Sequence, residues 1–461
     1  MASTNQHAVV VGASIAGVLA AQVLAGHFER VTLVDRDEMP GEPGPRGGVP
    51  QGRHVHGLLS RGRAVVEEMF PGTTADLVAR GAILGDALAD GRYFFGPRPL
   101  AQTQAGLPTL AVSRPLLEWY LRHRLLHDTR VSVLEHTSVL DLAFSADDAR
   151  VTGVVVSDRD SASPQLLAAD LVVDTSGRTS RTPEWLERRG YAAPVEDVRR
   201  IDKQYATRTF RRTSDPGQPV VRIAAARPGF PRGGIMLACE GDIWMVSLSG
   251  RDGEQPPLEL EEYRAWARTL ATAELADALD ALEPLDEGVR YRFPANRRRH
   301  YERMTTFPSG LVVMGDALCA FDPVHGQGMT VAAVEAEALG DALARAGTDD
   351  IGPRFHRRAA SVIDTPWTIA AGPPTSGRVP ARRRLVDGYL VRLVRAAADD
   401  PVLATAFLRV SHLVDRPQDL MRPALARRVL RHTLPRSRRW VAADDRGRTR
   451  SGDGLLEAPG V

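Results

Sequence analysis

Lysine and cysteine are nearly missing from this chain of 461 residues. Lys203 is the only lysine, so arginine carries almost all of the positive charge, as expected for a high-GC genome. Any mechanism that needs a catalytic lysine must therefore use Lys203. The two cysteines, Cys239 and Cys319, lie in apolar segments without metal-ligand spacing, so we expect no metal site.

Long apolar runs and a strong charge of one sign are missing as well. No segment has the length of a transmembrane helix, and polar residues come directly before the first apolar run, which argues against a signal peptide. The formal net charge is only +2, and the C-terminal arginines are part of no known nucleic-acid-binding motif. We therefore expect a cytoplasmic protein that has no integral membrane segment and binds no nucleic acid.

The N-terminal segment has the pattern of a dinucleotide-binding fold. An apolar run, Ala8–Val11, predicts a buried strand, and residues 15–24 predict the helix that follows. Gly12, Ser14 and Gly17 occupy the three glycine positions of the dinucleotide fingerprint, with serine replacing the second glycine. A structural turn without a ligand is the alternative to a cofactor site here.

Each of these positions has a mechanical role. Gly12 permits the tight turn, Ser14 lies where the backbone meets a pyrophosphate, and Gly17 lets helix and strand pack closely. The free amides at the helix N-terminus bind the phosphates. Asp35 ends the next strand, where its carboxylate can accept both ribose hydroxyls of an adenosine. Three neighbours are assigned to the same cofactor site: Ile15, Ala16 and Arg36.

A second glycine-rich segment, LVVMGDALCAFDPVHGQGM, lies about three hundred residues downstream. Residues 311–314 predict a buried strand, and Gly315-Asp316 follows where a turn would meet a ribityl chain. A long apolar helix is predicted from Met329 to Ala346, with its N-terminal amides facing the pyrimidine edge of a flavin. The residues before it that we assign to the cofactor are Pro323, Gly326, Gln327 and Gly328. Because an NAD-only fold has no need of this second element, the two segments together predict FAD.

With these motifs the chain resembles the group A flavin-dependent monooxygenases, the family that includes p-hydroxybenzoate hydroxylase. Arg114, in SRPLLEWYLRHRL, matches the arginine near the FAD pyrophosphate in that family. The segment ADLVVDTSGRTS matches the family's strand ending in Asp-Gly, although Ser176 replaces that Asp and only Gly177 is kept. The resemblance also assigns Asp174 and Val139 to the cofactor. The segment GVPQGRHVHGLL, which follows Arg46, is most similar to the bacterial polyether epoxidases.

The resemblance implies an α/β fold (α+β overall), with a Rossmann-like FAD-binding domain, an inserted antiparallel-sheet substrate domain and a C-terminal helical region. The expected boundaries are 1–75, 105–182 and 290–350 for the FAD-binding domain, 76–104 and 183–289 for the substrate domain, and 351–461 for the helical region. The helical region is a candidate cap over a greasy substrate, or a segment that touches a membrane.

The implied activity is monooxygenation with non-covalent FAD, NAD(P)H as reductant and O2 as co-substrate. In this family a flavin C4a-hydroperoxide transfers oxygen, here to a hydrophobic natural-product intermediate such as a polyene or polyketide, by epoxidation or hydroxylation. Because Ser176 departs from the family pattern, a separate flavin reductase stays open as the electron source. The alternatives are an aromatic hydroxylase, a flavin-dependent reductase of isoprenoid double bonds, and a flavin-holding sensor or scaffold. Halogenation is disfavoured because the Trp-x-Trp-x-Ile-Pro segment of flavin-dependent halogenases is absent.

The candidate catalytic residues are His325, Arg46, His54 and His56, of which the last three lie in a loop expected to approach the flavin ring. Four strand-like segments, at 205–212, 219–226, 234–239 and 242–249, predict an antiparallel sheet above the flavin. Phe210, Met236 and Trp244 on these strands are predicted to line the substrate pocket, because apolar side chains dominate such pockets.

Overall fold

The computed structural model describes residues 6–159, 163–213, 217–226, 229–346, 348, 350–371 and 381–433. Residues 1–5 and 434–461, which the sequence assigned to the two ends of the fold, lie outside the described residues, as do positions 372–380 of the C-terminal helical region.

A five-stranded parallel sheet forms the first layer. Most residues of its strands are apolar. Complete burial is shown by four central valines, Val9, Val10, Val173 and Val312, as expected for a parallel sheet covered on both faces. Its order is β16-β10-β1-β2-β6, with β1 His7–Val11, β2 Arg30–Val34, β6 Val131–Leu134, β10 Leu171–Asp174 and β16 Leu311–Val313.

Helices cover this sheet. The packing helices are α1 Ile15–Ala25, α4 Arg114–Leu125, α8 Gly328–Ala346 and α9 Ile351–Ala371. Helix α1 is buried along most of its length because it packs against α4 and α8 as well as the sheet. Four smaller elements fill the periphery of this half, α2 Ser60–Met69, α3 Thr73–Ala79, α5 Thr182–Glu187 and a three-stranded meander of β7 Thr137–Phe144, β8 Val151–Asp158 and β9 Gln165–Ala168.

A seven-stranded, mostly antiparallel sheet forms the second layer. Its order is β17-β15-β11-β14-β13-β12-β4, with β4 Gly91–Phe94, β11 Val195–Arg211, β12 Val221–Ala224, β13 Gly233–Cys239, β14 Ile243–Gly250, β15 Val289–His300 and β17 Cys319–Ala320. Helices α6 Leu260–Ala267 and α7 Glu274–Asp280 cover one face of this sheet, and the other face turns toward the first layer. A separate two-stranded pair is formed by β3 Ile83–Asp86 and β5 Pro108–Ala111.

The C-terminal region is helical, as the sequence predicted. Beyond α9, its described residues form α10 Ala381–Ala396, α11 Pro401–Ser411, a 3-10 turn at Pro417–Met421 and α12 Pro423–Thr433. Asp400 caps α11, because its carboxylate accepts hydrogen bonds from the amides of Val402 (2.9 Å) and Leu403 (3.3 Å). These helices share an apolar core with the segment around β4. Among the described helices, none is both long and apolar enough to cross a bilayer. The predicted mixed α/β fold is confirmed.

Candidate active site

The carboxyl ends of the parallel strands open into a cleft of about 330 Å³. Gly12 makes the turn out of β1 with a φ of +98°, and a Cβ there would lie 2.9 Å from the carbonyl oxygen of Thr175. At Gly17 a Cβ would lie 1.9 Å from the carbonyl oxygen of Gly12. Both positions therefore require glycine, and they hold α1 close to β1 with its N-terminus directed into the cleft.

The N-terminus of α1 has no side-chain cap and no acidic residue in its first turn. Ser14 stands at the N-cap position, but its hydroxyl donates to Glu118 (3.1 Å) and accepts from Arg114 (2.9 Å) instead of capping the helix amides. The serine that replaces the usual glycine is thus held by α4. The first amides of α1 stay available to an anion, as a pyrophosphate site requires.

Asp35 and Arg46 line the end of this cleft that is nearest β2. The Asp35 carboxylate accepts from the amide of Ala13 (2.7 Å) and pairs with Arg46 (3.3 Å). Arg46 is buried and pairs with Glu118 at 2.5 Å. Burial lowers the pKa of Arg46, but Glu118 and Asp35 raise this pKa by more. The guanidinium group therefore stays protonated.

The sequence predicts Arg46 both as a cofactor-binding residue and as a residue near the flavin ring, and its ion pairs determine which part of the cleft it lines. Glu118 of α4 and Asp35 draw the guanidinium to the end of the cleft nearest β2, where it lines the cleft but not the neighbouring cavity described below. Its placement suits the adenosine side of a dinucleotide.

The loop after β10 corrects one prediction. Asp174 does not face the cleft, because its buried carboxylate accepts from Ser176 (2.6 Å), Ser180 (2.5 Å) and Thr182 (2.6 Å). The Asp174 carboxylate thus stabilises the loop from the side that faces away from the cleft. Gly177, with a φ of +86°, and Ser176 line the cleft instead.

The downstream glycine segment completes the cleft. Gly315 follows β16 with a φ of +65°, and its amide donates to Glu335 of α8 at 2.6 Å. Asp316 lines the cleft, and its side chain is exposed to that space. Desolvation by the surrounding protein raises the pKa of this carboxyl, and Arg114 and Arg178 oppose that shift. Gly328 begins α8 with open space beside it, since a Cβ there would meet no atom within 4 Å.

Most of the predicted cofactor residues line this one cleft. They are Gly12, Ser14, Ile15, Ala16, Asp35, Arg36, Arg46, Arg114, Val139, Gly177, Gly315, Asp316, Pro323, Gly326, Gly328 and Met329. Gly17 lies behind it in its packing role. Gln327 is a further correction: its amide donates to the carbonyl oxygen of Ser411 (3.3 Å) and its side chain faces α11. Lining residues that the sequence did not single out include Thr175, Thr179, Arg181, Tyr291, Phe293 and Phe321.

The arrangement fits FAD. A carboxylate stands at each end of the cleft, Asp35 for the adenosine ribose and Asp316 for the ribityl hydroxyls. The uncapped amides of α1 lie between them for the pyrophosphate. Open space beside Gly177 and Gly328 leaves room for a planar ring against the N-terminus of α8.

A second cavity of about 600 Å³ adjoins the cleft. The two share a wall that consists of Gln51, His56, Gly57, Tyr291, Asp322, Pro323 and Gly326. The open face of the seven-stranded sheet lines the second cavity on one side, and Phe407, Leu408 and Ser411 of α11 line it on another. We call it the sheet cavity.

Two of the predicted catalytic histidines lie at or beside this junction, His56 in the shared wall and His54 in the wall of the sheet cavity alone. His54 is hydrogen-bonded through Nδ1 to the hydroxyl of Thr207 (2.7 Å). His56 donates from Nδ1 to the carbonyl oxygen of His54 (2.9 Å), so its Nε2 is free to accept from Arg114 (3.2 Å). Burial, together with the charge of Arg53, lowers the pKa of His54 to about 4, and burial together with the charge of Arg114 lowers that of His56 to about 3. Both rings are therefore neutral at physiological pH.

His325 lines the sheet cavity next to a buried ionic cluster. Burial lowers its pKa, and Asp322 opposes the shift. The Nζ of Lys203 lies 3.5 Å from Asp322, and the hydroxyl of Tyr205 donates to the same carboxylate. We did not assign Lys203 or Tyr205 to the site from the sequence. Their alternate spacing on β11 and the uniqueness of the lysine are the signals that point to them.

Phe210, Met236 and Trp244 do not line the sheet cavity, contrary to the prediction. All three are buried on the opposite face of the seven-stranded sheet, in the core beneath α6 and α7. The two neighbours of Met236 on β13, Ile235 and Leu237, face the cavity instead. Both faces of this sheet are covered, so the alternation along each strand predicts two apolar faces without identifying the one that meets the substrate.

Comparisons with known proteins agree with this geometry. Residues 5–359 match the family described as FAD binding domain. Protein Rv3254 of Mycobacterium tuberculosis is 34% identical over 454 residues, which cover 95% of each chain.

Solved structures share the fold at low sequence identity. PqsL of Pseudomonas aeruginosa, a probable FAD-dependent monooxygenase, superposes with a TM-score of 0.58 at 19% identity, covering 78% of this chain and 94% of its own. A mutant of 2-methyl-3-hydroxypyridine-5-carboxylic acid oxygenase gives 0.58 at 16% identity, with 78% and 89% covered. The flavin-dependent halogenase CmlS gives 0.62 at 16% identity, with 91% and 79% covered.

Proposed function

This chain belongs to the FAD-binding family of the flavin monooxygenase superfamily and is an oxidoreductase of that kind. Within that family, we propose that it epoxidises or hydroxylates a hydrophobic natural-product intermediate such as a polyene or polyketide, in the cytoplasm. NAD(P)H serves as the reductant, directly or through a separate flavin reductase, and O2 is the co-substrate. Bound FAD supplies electron transfer from NAD(P)H and the activation of O2 for insertion into the substrate.

The observation that carries this proposal is the junction between the two cavities. The sheet cavity lies directly against the part of the cleft formed by Pro323, Gly326 and Tyr291, where we place the ring of the flavin. Its volume of about 600 Å³ suits a small-molecule ligand, and most of its wall is apolar. A hydrophobic substrate there would meet the cofactor without an intervening layer of protein.

The residues at the junction have defined tasks in this proposal. His54 and His56 stay neutral and hydrogen-bonded, so they act as fixed hydrogen-bonding groups and not as acids. Arg114 bridges Ser14 of the cleft and His56 of the junction, which couples the cofactor end to the substrate end. The apolar wall and α11 exclude water from the reacting atoms.

Epoxidation is favoured over aromatic hydroxylation by the segment that resembles the polyether epoxidases. This segment supplies Gln51, His54, His56 and Gly57, all of which line the sheet cavity. The residues that carry the resemblance thus stand where the substrate would be recognised.

Aerobic turnover with NAD(P)H and two panels of substrates, linear polyenes and substituted phenols, tests the proposal. Epoxide products from polyenes are expected. Phenol hydroxylation alone would favour the aromatic hydroxylase. Reduction of a double bond without oxygen consumption would favour the isoprenoid reductase. Bound FAD that NAD(P)H cannot reduce, even with an added flavin reductase, would favour a sensor or scaffold.

Halogenation is a second candidate because Lys203, the only lysine, lies in the wall of the sheet cavity. The same reactions with added bromide test it directly. Brominated products would support a halogenase, whereas products unchanged by bromide would leave the oxygen-inserting function in place.

A further inference from the structure

The sheet cavity has one polar end and one apolar end. Across the sheet, the side chains that face the cavity change from Lys203 and Tyr205 on β11, through Ser247 and Ser249 on β14, to apolar residues on the far strands. Those apolar residues are Ile235 and Leu237 of β13, Val221 and Ile223 of β12, and Tyr93 of β4. A ligand that matches this wall has a polar group at one end and an apolar body.

The polar end has more cations than carboxylates among the residues that line it. Among the described residues that line the cavity, the cations are Lys203 and Arg251, and Asp322 is the only carboxylate. Burial lowers the pKa values of the four lining histidines, of which His54 and His412 are each lowered to about 4, so these rings add no charge at neutral pH. Two cations therefore face one anion.

Neither cation is fully satisfied by its partners. The side chain of Lys203 is 4% exposed, and its contact with Asp322 is long at 3.5 Å, while that carboxylate also accepts from Tyr205 and the amide of Val324. The Nε of Arg251 is buried and has no acceptor among the described residues. The nearest carboxylate of Arg251, that of Asp252, is 3.7 Å away and largely solvent-exposed. Burying an ammonium or guanidinium group with incomplete pairing is costly, and an anionic ligand would relieve that cost.

We propose that the substrate of this enzyme is an elongated apolar molecule with a free carboxylate, and that Lys203 and Arg251 bind this carboxylate while the strands β12, β13 and β4 hold the apolar body. This inference rests on the proposed function, since it names the substrate class of the same cavity. Lys203 is the principal specificity determinant, because it is the more deeply buried of the two cations. Burial and the charge of Arg251 lower the pKa of Lys203, and a bound carboxylate would act with Asp322 to keep it protonated.

Calorimetric titration of the FAD-loaded protein with decanoate and decanamide at neutral pH tests the assignment. The two probes have the same chain and nearly the same shape, but only decanoate is charged. Decanoate is expected to bind at least about tenfold more tightly, since charge-assisted hydrogen bonds are worth about 1.5–3 kcal/mol.

Three variants test which residues cause the preference for decanoate over decanamide. Lys203→Met should abolish the preference for decanoate, Lys203→Arg should retain most of it, and Arg251→Gln should reduce it. Arg292→Gln is the matched control, because Arg292 is an exposed arginine on β15 that pairs with Asp202 and does not line the cavity. It should leave both affinities unchanged.

Equal affinities for the two probes, failure of decanoate to bind, or a preference that survives in Lys203→Met would each overturn the proposal. Bound flavin content and the circular dichroism spectrum of each variant show whether it is folded. Because the titration needs no turnover, its outcome is independent of whether the enzyme inserts oxygen.

Discussion

Asp316 is the residue on which flavin retention should depend most. Its carboxylate faces the cleft directly after β16, where the ribityl hydroxyls of FAD would lie, and no hydrogen bond or ion pair joins it to another residue that the structure describes. Asp316→Ala is expected to weaken FAD binding by at least about tenfold, the loss of hydrogen bonds to a charged acceptor, while leaving the fold intact. The ratio of flavin to protein absorbance after purification measures the effect.

Asp341→Ala is the control for this change, because Asp341 is an exposed carboxylate of α8 outside the cleft. It should retain full flavin content. An Asp316→Ala protein that kept its flavin would place the ribityl chain elsewhere. A protein that lost its circular dichroism spectrum would instead assign Asp316 to folding.

Buried neutral histidines make the stability of this protein sensitive to acid. His356 accepts from the amide of Val313 (3.2 Å) in the core, and burial lowers its pKa to about 3. The unfolded chain, with a histidine pKa of about 6.5, binds the proton first. The contribution of His356 is therefore present above about pH 6.5 and is lost as the pH falls.

Between about pH 7 and about pH 5, this linkage is expected to cost about 2 kcal/mol of the free energy of unfolding. His356→Phe should be less stable at pH 7 but should lose about 2 kcal/mol less than the native protein on acidification. Chemical denaturation at the two pH values measures this difference. His27→Asn, at an exposed position, should not change it, and an unchanged pH dependence in His356→Phe would contradict the account.

At the scale of single elements, α11 connects the C-terminal region to the active site. Its Phe407 lines the sheet cavity and packs edge-to-face on Phe95 with ring centroids 5.1 Å apart. Gln327, just before α8, donates to Ser411 at the end of α11. The helix is therefore a wall of the cavity and is anchored to the segment that leads into the flavin-binding helix.

Phe407→Ala is expected to weaken the binding of decanoate and decanamide equally, by about tenfold, because it removes apolar contact without altering charge. Titration calorimetry of both probes gives the measurement. Val402→Ala, on the exposed face of the same helix, should leave both affinities unchanged. Unaltered binding in Phe407→Ala would show that α11 does not contact the ligand.

The elements of the cofactor cleft were predictable from sequence because each depends on local constraints. A turn at Gly12 and the close approach at Gly17 are properties of the backbone, and they fixed the start of α1. The position of Arg46 was not predictable because it depends on Glu118, 72 positions away in the chain. The position of Asp174 was not predictable because it depends on hydrogen bonds from the hydroxyls of Ser180 and Thr182 in the loop that follows. Apolar spacing carries no information about such partners.

The substrate side was less predictable for a related reason. Both faces of the seven-stranded sheet are covered, so apolar residues occur on both faces of β13 and β14. The sequence pattern therefore does not show whether Trp244 or Ile235 lines the cavity. The role of Lys203 depends on its meeting Asp322, which is 119 positions away and belongs to the glycine-rich segment. The composition identifies Lys203 as the only lysine but does not show where it lies in the fold.

At the scale of the whole molecule, the chain brings four distant segments to one cleft and sets a second cavity against it. The parallel sheet supplies the cofactor residues from the ends of β1, β2, β10 and β16. The antiparallel sheet and α11 enclose the apolar space beside them. The parallel sheet would thus bind the flavin and the antiparallel sheet the substrate. This arrangement would place a hydrophobic substrate next to a flavin that can activate oxygen.

Mass spectrometry of products formed under ¹⁸O₂ tests this arrangement most directly. The reactions contain the FAD-loaded protein, NAD(P)H and a polyene that bears a free carboxylate, with ¹⁶O₂ and a no-enzyme sample as controls. The account predicts that each inserted oxygen atom comes from ¹⁸O₂. Products that carry no label, whether reduced or oxygenated from water, would contradict it.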